Sequence, residues 1–142
     1  MKIYLTFGAE QNDVMPNYEY VDFNHIEGAA YPSEVDEVYG PIILNYIPLL
    51  EVVGFFEKVR KLLRVGGQLV IGGIDCYLLS KATLSRDLTE KDYNNLLFVD
   101  PKFKAIHSLQ AVKGVLQSSG FSVDEIYLEE DEVRFSIKAT KT

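Results

Sequence analysis

The sequence predicts an α/β domain, a mostly parallel sheet closed by a C-terminal antiparallel hairpin. Three observations carry this. Short β-rich runs alternate with runs of helical period along the chain. The segment QLVIGGI, residues 68 to 74, is almost wholly apolar, as a parallel strand buried on both faces would be. After residue 120, FSVDEIYLE and EVRFSIKAT alternate apolar and polar residues across an acidic turn, which reads as a hairpin.

Taken in order, KIYLTF and YEYVDF are rich in Tyr, Phe, Ile and Val and predict strands at 2–7 and 18–23. The stretch between them, Gly8 to Asn17, is about the shortest that can cross over between parallel strands. NHIEGAAYPSE reads as loop, and a third strand follows at 35–40. From Leu49 the apolar positions 49, 50, 52, 53, 55, 56, 59, 62 and 63 form one stripe, which predicts a helix over 49–64 on one face of the sheet. Lys58, Arg60, Lys61 and Arg64 suit its C-terminal dipole, and Gly66-Gly67 is expected to stop it before a central strand at 67–74. Residues 75–106 are mixed, with a helix expected around Thr89 to Phe98. Ser108 caps a further helix whose apolar positions 109, 112, 115 and 116 share a face and which Gly120 ends. The hairpin strands are expected at 122–129 and 132–140.

A chain of 142 residues in which 47% of positions are hydrophobic is expected to form one domain, residues 1–142, around a single core. Its net charge of −7 and pI near 4.8 give no electrostatic footprint for nucleic-acid phosphates or an anionic bilayer. Neither general nucleic-acid binding nor a membrane is expected, and no apolar run reaches the ~20 residues that cross a bilayer. Cys76 is the one cysteine, so no internal disulfide forms, and the first residues enter a strand without a basic and apolar leader. The expected location is cytoplasmic.

Four stretches carry a resemblance to the class I S-adenosylmethionine-dependent methyltransferases. IYLTFG stands where that family has a strand and a glycine-rich loop, and YVDF where an acidic residue ends the second strand. VDEVYGPIILNYIP corresponds to the family's fourth strand and a motif that usually contains Glu-His. KLLRVGGQLVIG corresponds to a helix, a paired-glycine turn and the fifth strand, and LQSSGFSVDEIYL with RFSIKATK matches the closing helix and hairpin. The chain resembles a short, degenerate member. The resemblance implies a Rossmann-like three-layer methyltransferase fold, reduced in size, with S-adenosylmethionine as cofactor.

On that resemblance Gly8, Glu10, Asp22, Tyr39 and Asn45 border the cofactor. The family's Gly-x-Gly has become Gly8-Ala9-Glu10, and a glutamate there adds bulk and repels the cofactor's carboxylate, so binding is expected to be weak or absent. The competing reading of the loop is a turn whose charges face water. Asp22 matches the acid that accepts ribose hydroxyls in the family, or is an ordinary loop aspartate. The loop after Tyr39 borders the same site. Asn45-Tyr46 takes the place of Glu-His near the methyl-transfer pocket. An amide is no base at neutral pH and a tyrosine titrates near ~10, so no catalytic residue is assigned. Of the two imidazoles, His25 reads as a solvated loop residue and His107 as structural. Cys76 has no histidine at a matching spacing, and the acidic runs read as wet turns, so neither a reactive thiol nor a metal site is expected.

Two functions follow. One is an S-adenosylmethionine-dependent methyltransferase acting on a small molecule or sugar. The other is a non-catalytic methyltransferase-fold module for binding or assembly. Without connecting helices after the first two strands, one sheet surface is left for a partner, and a homo-oligomer is expected.

Overall fold

The computed structural model describes residues 1–7 and 15–142. Among these, six strands form one sheet: β1 (Lys2–Thr6), β2 (Tyr18–Asp22), β3 (Val35–Gly40), β4 (Leu63–Ile74), β5 (Phe121–Leu128) and β6 (Arg134–Lys141). Their order is β2-β1-β3-β4-β6-β5. The first four in that order are parallel, and β6 runs antiparallel to both β4 and β5. Four helices accompany them: α1 (Val52–Leu62), α2 (Cys76–Leu84), α3 (Glu90–Phe98) and α4 (Leu109–Ser118). The architecture is the mixed α/β, Rossmann-like sheet with a closing hairpin that the sequence predicts.

Strand alternation divides the sheet into two faces. Ile3, Leu5, Val38, Leu69, Ile71, Ile137 and Ala139 are buried on one, packed with Phe55, Phe56 and Val59 of α1 and Val112 and Leu116 of α4. Each such side chain contributes about 1.5–3 kcal/mol by leaving water, which makes this face the main source of stability. The other face carries Tyr4, Tyr39, Gln68, Val70 and Lys138, all half-buried. Ile74, the last β4 residue on the same alternation, joins Leu79 of α2 and Val133 in a second, smaller apolar cluster at the carboxyl end of the sheet.

Caps set the helix starts. Asp75 accepts the Leu78 N–H at the head of α2, Thr89 and Asp92 form a reciprocal capping box on α3, and Ser108 accepts the Ala111 N–H on α4.

The junction between α1 and β4 differs from the expectation. The helix ends at Leu62, and β4 starts at Leu63, well before the glycine pair. Leu63 is fully buried and turns to extended backbone, because the core takes its side chain more favourably from a strand paired with Val35. Gly66 has φ +80° and lies where the β3–β4 register shifts between Val35 and Glu37. The glycines therefore make a bulge inside the strand rather than a helix stop. The last turn of α1 is closed from a distance: Lys141 of β6 donates from Nζ to the carbonyls of Arg60 and Leu63, 2.7 Å each.

Candidate functional site

The carboxyl ends of parallel strands gather loops into a crevice, the usual place for a ligand in an open α/β sheet. Here that edge collects Phe7 after β1, Asp22 at the end of β2, the turn Ile43–Tyr46 after β3, and Asp75 after β4. Asp22 is half-buried and lies beside Thr6 in the β1–β2 register. Its Oδ1 accepts the Asn24 N–H at 2.8 Å and so holds the short turn Phe23–Gly28. Its other carboxylate oxygen has no partner among the described residues. His25, in the same turn, is exposed.

Asn45 is a structural cross-link. It is 2% exposed, its Oδ1 accepts the Ile74 N–H at 3.2 Å, and its Nδ2 donates to the Ala105 carbonyl at 3.2 Å. Gly73 permits this approach, since a Cβ there would stand 3.0 Å from Asn45 Oδ1 and 3.2 Å from Leu44 Cβ. The Asn45 carbonyl also accepts the Lys104 N–H at 2.7 Å. One residue thus ties the turn after β3 to β4 and to the 104–105 segment.

Tyr46 points into an aromatic stack. Its ring lies 4.1 Å from that of Phe7 with planes 9° apart, and Phe103 meets it edge-on at 5.0 Å. The phenol donates to Asp100 Oδ2 at 2.7 Å. Burial, then this bond and the Asp100 charge, push the phenol well above its ordinary range. Asp100 in turn is held below the usual carboxylate range, first by the Tyr46 bond and then by the Lys102 N–H. Next to the stack opens a cavity of about 310 Å³ lined by Leu97, Phe98, Asp100, Phe103 and Lys104.

His107 is buried and donates from Nε2 to the Ile47 carbonyl at 2.9 Å. Asp75, also buried, accepts N–H groups from Leu78 at 2.8 Å and Leu109 at 2.6 Å. Neither presents a free group to the edge. Tyr39 lies on the sheet face opposite α1 and α4, its ring 5.3 Å from Tyr4 and 6.2 Å from Tyr18. Gly8 and Glu10 lie outside the described residues. Of the expected positions, the structure brings Asp22 and Asn45 to the carboxyl edge, with Asn45 turned inward. Phe7, Asp100 and Phe103 were not expected there. Their signal in the sequence was slight: an aromatic directly after the first strand, and a proline-flanked acid and aromatic in the mixed 75–106 stretch.

No protein-family model matches the sequence, and no curated protein does. Solved structures do match by shape. A SAM-dependent methyltransferase from Archaeoglobus fulgidus superposes with TM-score 0.63 at 14% identity, over 88% of this chain and 67% of its own. One from Methanosarcina mazei gives 0.62 at 18%, over 87% and 66%.

The fold is that of the S-adenosylmethionine-dependent methyltransferases.

The magnesium protoporphyrin IX methyltransferase of Synechocystis, solved with bound SAH, is a third such match, with TM-score 0.58 at 13% identity over 88% of this chain and 51% of its own. The chain spans about two thirds of the length of the two archaeal proteins and half that of the Synechocystis one. Asp22, anchored through one oxygen and with no described partner on the other, presents a hydrogen-bond acceptor at this edge. Among the described residues, the edge offers no comparable base. Among the described residues, no three His, Cys, Asp or Glu side chains cluster as metal ligands, and no helix is long and apolar enough to cross a membrane.

Proposed function

We propose that this chain is a methyltransferase-fold binding module that takes S-adenosylmethionine or a related nucleoside weakly and does not abstract a proton. The observation that carries this is the use of Asn45 and Tyr46. The amide is spent on Ile74 and Ala105, and the phenol on Asp100. A general base must reach its proton with a group that can accept it near neutral pH, and neither can. Asp22 would hold the ribose, and when bound the cofactor would supply an electrophilic methyl group.

A second reading is methyl transfer by positioning alone onto a small molecule or sugar. The unclaimed oxygen of Asp22 and the 310 Å³ cavity beside Asp100 and Phe103 favour it. Calorimetry with S-adenosylmethionine separates the readings. The binding-module reading expects weak binding that Asp22→Ala abolishes. Micromolar binding, together with methyl loss from the cofactor when small hydroxyl acceptors are added, would favour the enzyme.

A further inference from the structure

Among the described residues, β5 ends the strand order with β6 as its one neighbour, so its outward backbone groups face no strand. The stretch from Phe7 to Met15 joins β1 to β2 near the other end of that order. At ~3.5 Å per residue it is too short to cross four strand spacings of ~4.8 Å and return. A register shift between Val123 and Glu125 breaks the first half of β5, the kind of irregularity that guards an edge. Past it the strand runs straight. Glu125, Tyr127 and Glu129 share one side, Ile126 and Leu128 the other, and all five are exposed. Glu129 continues the ladder, its N–H donating to the Arg134 carbonyl at 2.9 Å.

Leu128 also lines a groove of about 660 Å³ between α2 and the turn 129–132. Leu78, Ala82 and Leu88 supply more of its apolar surface, and its ionised side chains are five carboxylates against the single ammonium of Lys81. The carboxylates of Glu125, Glu129 and Glu130 have no ion-pair partner among the described residues.

Charge decides the occupant. Two copies meeting edge to edge about Tyr127 would pair Ile126 with Leu128, but would set Glu125 against Glu129 and Asp124 against Glu130. Like charges directly opposite are destabilising, and a basic strand turns each of those contacts into attraction. We propose that this edge binds an extended segment of another protein in which lysine or arginine alternates with apolar residues, added to β5 as a further strand. Its cations face Glu125, Glu129 and the ring of Tyr127, while its apolar side chains meet Ile126 and Leu128 and enter the groove. Main-chain bonds to β5 give the affinity, and the carboxylates give the choice of partner. Asp22, on β2, lies at the opposite end of the strand order, so this binding needs no nucleoside.

Fluorescence anisotropy on the whole chain, with a short labelled peptide of alternating lysine and valine, tests this. Binding is expected, and a peptide of alternating glutamate and valine should not bind. Glu125→Gln with Glu129→Gln, both at exposed positions, should weaken it by about tenfold or more. Methylating the peptide's backbone nitrogens keeps every charge, removes its strand bonds and should abolish binding. Binding that survives this methylation, or that the double variant leaves unchanged, overturns the proposal, as does no binding at millimolar peptide. So does a self-associated chain that the peptide fails to dissociate, since a second copy would then hold the edge.

Discussion

The phenol of Tyr46 donates to the carboxylate of Asp100 at 2.7 Å and so joins residues 54 apart in sequence. Tyr46→Phe keeps the stack on Phe7 and deletes this one bond, at a cost of about 1 kcal/mol near neutral pH. The pH dependence follows from the two shifts. Asp100 is depressed, chiefly by Tyr46, so its contribution is full above the unfolded value of ~4 and is lost as pH falls through the lower folded one. The phenol is raised by burial and by Asp100, so its contribution is full below ~10 and is lost as pH rises. Thermal melts of both proteins across pH should show a gap that narrows at each extreme. A gap that persists undiminished into strong acid would mean the bond contributes nothing through charge.

Asp75 heads two helices at once. Its carboxylate accepts from Leu78 in α2 and from Leu109 in α4, so Asp75→Ala uncaps α2, leaves the first N–H of α4 without its partner, and should cost about 2–4 kcal/mol. Asp75→Asn retains one acceptor oxygen and should fall between. Denaturant midpoints give the order directly, and an alanine variant as stable as wild type would show that neither cap matters.

Gly73 and Asn45 form a packing unit. An added methyl at Gly73 meets Asn45 Oδ1 at 3.0 Å, so Gly73→Ala should cost about 1–3 kcal/mol. Asn45→Ala leaves the Ile74 N–H without its partner and should cost a similar amount. Because both break the same contact, the double variant should be less destabilised than the sum of the singles, as a double-mutant cycle would read.

The order of elements was legible because it rests on periodicity. The stripe of α1, the capped start of α4 and the alternation in β5 and β6 are patterns of burial that survive folding. The α1–β4 junction was not legible, since a Gly-Gly pair is as good a helix stop as a strand bulge until the burial of Leu63 is known. α2 was missed although Asp75 is a good N-cap, because the run after it lacks a clear apolar face and Leu79 is its one buried residue. At the site, the replacement of Glu-His by Asn45-Tyr46 was readable. What those residues do instead was not, because Ala105 and Asp100 lie far along the chain.

The glycine-loop reading remains a prediction from sequence. Relief of bulk and like charge by Glu10→Gly should strengthen S-adenosylmethionine binding by up to about a hundredfold. Asp22→Ala should weaken whatever binding there is. Calorimetry on the three proteins decides it, and micromolar binding by wild type that Glu10→Gly leaves unchanged would show that Glu10 faces water.

The place of β6 between β4 and β5 has a kinetic consequence. Its pairs with β4 run from Gln68–Thr140 to Ile74–Arg134, so every one closes a loop of sixty residues or more, and β5 reaches the sheet only through it. Loop-closure entropy must be met before those contacts form, which makes the docking of the hairpin a slow, late event. Substitutions in β6 should then speed unfolding more than they slow folding, while those in α1 act on both. Until that strand docks, β4 is an open edge, so a chain that had not yet docked it would be the form most prone to aggregate.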